Sequence, residues 1–306
     1  MMRILLVVLA WPLIILTIIV SFDWIRGEFF TSPQDKNWTD RVRPPSYLSV
    51  GTHALTRFSE LSETDRNSVI RNLESNLITT EQWLAGLQQS EYRIVCLGED
   101  HEETTRQFLA EQFFQRFTTD VLLLEATSAG MARIAKNLDT GKNYIPLLDA
   151  DIAKIIRVAR SQNPNLILGG IEETKRQKKT RERQDHPSFR DDSIVSNFWH
   201  TYRPGKRHVI LFGALHCTNQ PNWLFERVRG MAPRPVAENM LNVRVIGDHQ
   251  DGLLEAFVFF IDEIGVERSD FVIPNTSSLH PLIFEWFALL TPQTLGRFHT
   301  LVVFRM

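Results

Sequence analysis

The sequence predicts an α/β protein built on a mostly parallel sheet flanked by helices. Short apolar runs at 94–97, 121–124, 166–171 and 209–212 are separated by longer segments with helical spacing, the alternation expected of βαβ units. Each run ends in acids or an imidazole: Gly98-Glu99-Asp100-His101, then Glu125, then Glu172-Glu173, then Gly213-Ala214-Leu215-His216. Ligands of open α/β sheets sit beyond the carboxyl ends of the strands, so this shared edge is a candidate site.

Taken in order, the chain opens with an apolar segment. Residues 4–20 are apolar except for Thr17, close to the roughly 20 residues that span a bilayer. No Ala-x-Ala pattern precedes Asp23, so residues 1–24 read as a retained single-pass anchor rather than a cleaved leader. The positive charges that flank it, Arg3 against Arg26 and Lys36, leave the orientation open. An exported domain is the expectation, because a lone amino-terminal span commonly serves export. Residues 25–59, with Ser32-Pro33 and Pro44-Pro45, read as a tether. The single domain is then 60–306.

Ser62 with Asp65 three residues later marks a helix start, and Val69, Ile70, Leu73 and Leu77 follow at helical spacing. Thr79 and Gln82 open a second short helix. After His101, Phe108, Leu109, Phe113 and Phe117 predict a helix over 102–116. Further helices are expected over 129–138 and 147–160, with a turn at Asn163-Pro164-Asn165. The basic run 175–183 reads as a solvated face, or as a rim for anionic substrates. A helix over 190–202 carries Arg190, Asp191 and Asn197, and Pro204-Gly205 ends it. Beyond a helix at 223–228, the runs 243–246 and 253–261 read as an antiparallel strand pair. A helix at 282–290 and a strand at 301–304 close the chain.

Composition narrows the function. A net charge of −2 gives no overall pull toward nucleic acid. Two cysteines, Cys96 and Cys217, make no disulfide framework in 306 residues; Cys217 reads as a small buried residue or, beside His216, as a metal or redox group. The zinc signature His-Glu-x-x-His, the Gly-x-Ser-x-Gly elbow, the P-loop and Gly-rich dinucleotide motifs are all missing.

What remains is the strand-end set. Glu99, His101, Glu125, Arg190 and His216 are the candidate catalytic residues, with Glu172, Asp191 and Asn197 as candidate substrate-binding neighbours. Two histidines and a carboxylate, His101, His216 and Glu125, suit a divalent metal with open positions. The same groups also suit metal-free acid–base chemistry, with Arg190 as an oxyanion or anion clamp. Singly, each has a plainer role: a lone histidine is more often a hydrogen-bonded structural residue, and Glu125 could cap a helix. Their repetition at strand ends is what points to a site.

These residues resemble a superfamily. Leu97-Gly98-Glu99-Asp100-His101, Glu125, Arg190-Asp191 with Asn197, and Gly213-Ala214-Leu215-His216 are similar to the signature shared by erythromycin esterase-like proteins, ChaN-like haem-binding proteins and the Tiki/TraB group. The likeness covers about 93–229. It implies one of three activities. Erythromycin esterase-like members hydrolyse an ester with a strand-end histidine that activates water. Tiki-like members are membrane-anchored, metal-dependent proteases, with His101, Glu125 and His216 in the ligand positions and manganese, cobalt, zinc or iron as the metal. ChaN-like members bind haem as dimers. Glu99-Asp100 before His101 is more acidic than the simplest Tiki pattern. The favoured expectation is a membrane-anchored hydrolase of an ester or amide in a small molecule or peptide. The alternatives are haem or iron binding, with a homodimer, and a non-catalytic interaction protein.

Overall fold

A computed structural model describes residues 47–140, 150–183, 189–247, 253–267, 269–287 and 295–305. The expected anchor over 1–24 lies outside them, as does most of the expected tether. Among the described residues no helix is long and apolar enough to cross a membrane. The compact unit that contains them runs from Pro45 to Met306.

Three helices lead in: α1 (Tyr47–Ser59), α2 (Glu63–Asn76) and α3 (Thr80–Gln89). Ser62 caps α2 by accepting from the Asp65 amide, and Thr79 and Gln82 form a reciprocal capping box on α3, as their spacing predicts. The α1 stretch was expected as the end of the tether. It forms a helix because Val50 and Ala54, four apart, are buried against later helices.

The units β1 (Ile94–Glu99), α4 (Glu103–Phe108), a π-helical turn (Leu109–Phe113), α5 (Phe114–Arg116) and β2 (Val121–Leu124) follow. Next come α6 (Ser128–Asp139), α7 (Ala150–Gln162), β3 (Ile167–Gly170), α8 (Lys175–Arg181), α9 (Arg190–Thr201) and β4 (His208–Gly213). A 3-10 turn (Ala214–Cys217), α10 (Leu224–Met231), α11 (Arg234–Ala237) and β5 (Met240–Ile246) complete the central part. The chain ends with α12 (Leu253–Glu263), β6 (Phe271–Ile273), α13 (Pro281–Phe287) and β7 (Thr300–Val303).

The seven strands are ordered β3-β2-β4-β1-β5-β7-β6. All neighbours are parallel except β6 and β7. β1, β2 and β5 are buried along their whole length, the mark of a parallel sheet covered on both faces. Val95, Leu97, Leu122, Val209 and Val243 face α3 to α7, whereas Ile94, Cys96, Leu123, Ile210 and Phe212 face α9 and α10.

The run 253–261 is the helix α12, not a strand. Its buried residues Ala256, Phe257, Phe260 and Ile261 repeat at helical spacing and pack on α1 and α13. The run is apolar apart from Glu255, and so dense in apolar side chains that its period is hidden. The antiparallel partner of β7 is instead β6, three residues too short to stand out by composition.

Candidate functional site

Because the strands are parallel, their carboxyl ends meet along one edge. Glu99 is in register with Gly213, and Leu124, one residue before Glu125, with Leu211 and Gly170. The sequence-predicted residues therefore converge here.

Glu99 is buried, yet both its oxygens are held. His101 Nδ1 lies 2.7 Å from Oε1, and the His101 amide donates to Oε2 at 2.7 Å. Thr105 donates its hydroxyl to Oε2 at 3.2 Å, and the Arg106 guanidinium lies 3.5 Å from the same oxygen. To make the double contact His101 takes a left-handed backbone, φ 60°, which residues other than glycine seldom adopt. With Nδ1–H engaged by Glu99, the lone pair of Nε2 faces outward on a ring that is 40% exposed. Glu125 Oε2 is 3.6 Å from Nε2, too far for a direct hydrogen bond and suited to sharing a water. Gly213 keeps this space clear: a Cβ there would sit 3.2 Å from His101 Nε2. Its amide donates to Glu125 Oε2 at 3.2 Å.

The centre of the edge holds Arg190, the first residue of α9. Its Nη2 donates to Glu125 Oε1 at 2.6 Å and also to Glu172 Oε2, and its Nε donates to Glu172 Oε1 at 2.9 Å. Nη1 lies 3.1 Å from His216 Nε2. On the other side of that ring, Nδ1 is 3.0 Å from Asp191 Oδ2, which also accepts from the Leu224 amide at 2.6 Å. Asp191 is buried, and His216 is flanked edge-on by Phe212 and Trp223. Asp191 thus orients His216 from behind, away from the space a substrate would enter. Asn197 is also behind the edge. Its amide donates to the carbonyls of Ile171 and Glu172 at 3.1 and 3.0 Å, which sets the strand end that presents Glu172.

The electrostatics follow from this packing. The hydrogen bond that His101 donates to Glu99 raises its pKa above the ordinary 6.5; burial and Arg106 work against it, and the charges of Glu99 and Glu125 add to it. Burial pushes the Glu125 carboxyl upward, but His216, Arg190 and His101 together outweigh it and bring the pKa down to about 2. Burial likewise works against a charged Arg190, and Glu172 and Glu125 overcome it, so the guanidinium stays protonated. For His216 burial favours the neutral ring, whereas Asp191 and Glu125 favour the cation strongly enough to raise its pKa. Arg190 can donate to Nε2 only while that nitrogen is unprotonated, so this hydrogen bond and a charged His216 exclude each other.

Neighbours that sequence reasoning passed over complete the edge. Asp100 pairs with the buried Arg244 of β5, and Glu173 holds Arg181 through two bonds of 2.9 and 3.0 Å. Arg244 carried no signal because it interrupts an apolar strand once, from a distant part of the chain. No residue of α8 is buried, so the basic run is a solvated face whose Arg181 turns back to Glu173. Cys96 and Cys217 form a disulfide. Two cysteines 121 residues apart gave no hint of pairing.

Among the described residues no three His, Cys, Asp or Glu side chains are disposed as a metal-binding group. His216 Nε2 and Glu125 Oε1 both meet Arg190.

Fold and edge together define an α/β protein with a His, Glu and Arg network at the carboxyl ends of its central strands. No protein-family model matches the sequence, and no curated protein matches it. Among solved structures the chain is similar to a Bacillus cereus protein at 12% identity with a TM-score of 0.50, covering 78% of this chain and 97% of that one. Two structures described as bacterial protein toxins are also similar, each at 12% identity, with TM-scores of 0.37 and 0.35. They cover 63% and 64% of this chain and 42% and 44% of their own. The first likeness concerns the fold alone.

Proposed function

We propose that this edge hydrolyses an ester or amide, with His101 as the base that activates water. The observation that carries the reading is the His101 geometry. Nδ1 is fixed by a buried carboxylate, while Nε2 of the partly exposed ring faces the space beside Glu125 that Gly213 leaves clear. A base must be within reach of the proton it takes, and its pKa must lie near the working pH.

His101 Nε2 takes a proton from water as the water oxygen bonds to the carbonyl carbon. Arg190 Nη1 has two hydrogens, and His216 engages only one; the second faces the developing oxyanion. Collapse breaks the bond from the carbonyl carbon to oxygen or nitrogen, and the leaving group takes the proton back from His101. Glu99 holds the ring, Glu125 and Glu172 hold Arg190, and His216 with Asp191 sets the position of Nη1.

The disulfide supports an exported domain, because such bonds persist in oxidising compartments. The amino-terminal apolar segment would then be its membrane anchor.

The test is a screen of ester and amide substrates with the wild type beside His101→Ala and His216→Ala, with metal analysis of the same preparations. Turnover abolished by His101→Ala supports the reading. Turnover of a confirmed substrate that survives both substitutions sinks it. A saturating Soret band on haem titration, without turnover, would replace it by the haem-binding alternative. Near-stoichiometric metal lost in both variants would restore the metal-dependent form and require Arg190 to leave the centre.

A further inference from the structure

Cys96 and Cys217 are fully buried, and the bond between them joins two pieces of the candidate site. Cys96 lies in β1, three residues before Glu99. Cys217 ends the 3-10 turn whose third residue is His216. The turn sits directly on the strand: a Cβ at Gly98 would lie 2.9 Å from Ala214 Cα and 3.3 Å from Cys217 Cβ. Asn242 of β5 steadies the far side, donating to the Cys217 carbonyl at 2.8 Å and the Arg297 carbonyl at 2.9 Å. The side-chain bonds of His216, by contrast, go to Arg190 and Asp191 at the start of α9. His216 is therefore tied by its side chain to α9, while the turn that carries it continues β4 and packs on β1 through Ala214 and Cys217.

We propose that Cys96–Cys217 is the positioning bond of this site, and that it keeps the Arg190–His216 half in register with the Glu99–His101 half. The two halves are otherwise joined by the parallel ladder of β1 and β4, which brings Glu99 level with Gly213, and by the 3.6 Å approach of His101 to Glu125. Reduction by a dithiol breaks the sulfur–sulfur bond. Two electrons and two protons pass from the dithiol, which closes to its own disulfide, and Cys96 and Cys217 become thiols. The 3-10 turn then keeps its tie to β4 and the Asn242 contact but loses its covalent link to β1, so it can shift with α9. The catalytic consequence rests on the hydrolase reading; the structural one does not.

The test uses the full-length chain. Thiol titration under denaturing conditions should find no free thiol before reduction and two after it. Hydrogen exchange of the backbone amides over 213–219 should quicken at least tenfold in Cys96→Ala/Cys217→Ala and in the reduced wild type, while Val121–Leu124 is unchanged. If the double variant fails to fold, the reduced wild type decides. On a substrate that the wild type hydrolyses, at a temperature where circular dichroism shows folded protein, kcat should fall at least tenfold with KM within twofold. A bond that only stabilises the fold would lower the melting temperature and leave both exchange at 213–219 and kcat as they were. That result, or two free thiols in the native protein, overturns the proposal. Faster exchange in a protein with no turnover and a silent His101→Ala would refute the hydrolase reading and leave the coupling of the two halves standing.

Discussion

The edge contains two histidine–carboxylate pairs of the same chemistry in opposite settings. In both, Nδ1 meets a buried carboxylate and Nε2 turns toward the Arg190–Glu125 centre. His101 stands on a left-handed backbone with 40% of its side chain exposed, whereas 9% of His216 is exposed and its Nε2 meets a guanidinium. An exposed lone pair can accept a proton from water; one capped by an arginine N–H cannot until that contact opens. On the hydrolase reading, two pairs of like chemistry thus divide into a base and a positioning group, and burial and the third partner decide which is which.

The comparison breaks most visibly at the exposed ring. His101→Ala is expected to lower kcat by about a thousandfold, as loss of a general base does, with little change in melting temperature. His216→Ala should cost less in kcat, and thermal melts of the two variants beside rate measurements separate them. Equal rate losses with equal stability would erase the division.

The buried pair should fail through stability. Asp191→Ala leaves the His216 Nδ1–H and the Leu224 amide without their acceptor. The expected cost is about 3 kcal/mol, read as a melting point lower by about 10 °C. Glu99→Gln acts on the exposed pair instead. Removing the charge and weakening the hydrogen bond lowers the His101 pKa, so the acid limb of kcat moves to lower pH, with kcat at neutral pH down by roughly tenfold. A limb that stays in place would detach Glu99 from the base.

Glu125 links the two pairs. Its folded pKa of about 2 against an ordinary 4.5 means that its contribution is fully present above 4.5 and is lost as the pH falls toward 2. Urea midpoints of wild type and Glu125→Gln should differ by on the order of 3 kcal/mol at pH 6 and converge only as the pH falls below about 2. Asn197→Ala, one shell further out, should cost about 1 kcal/mol and change kcat by less than tenfold.

Much of this edge was legible in the sequence because apolar strands that end in acids and imidazoles are local signals. The strand ends at Glu99, Glu125 and His216 and the helix bearing Arg190 could be read without knowing what lay beside them. Their roles could not. Asp191 reads as a substrate contact until its burial behind His216 is seen, and Glu99 reads as an acid or ligand until both oxygens prove to be held by its own neighbours. The disulfide and the Asp100–Arg244 pair are products of topology, since β4 and β5 flank β1 only after the chain has doubled back. The helix over 253–263 reads as a strand because Glu255 alone interrupts its apolar run as far as Ile261, too few polar positions to show a helical period.

The position of β1 bears on how the chain is made. During synthesis it emerges before every other strand, yet it lies between β4 and β5, whose residues lie more than a hundred positions downstream. Until then Ile94, Val95, Cys96 and Leu97 form an apolar segment with two unsatisfied edges, the kind of nascent-chain intermediate that invites aggregation and holdase binding. Non-local parallel pairing of this sort folds slowly. The strand that presents His101 is therefore also the segment whose yield depends most on what shelters the unfinished chain.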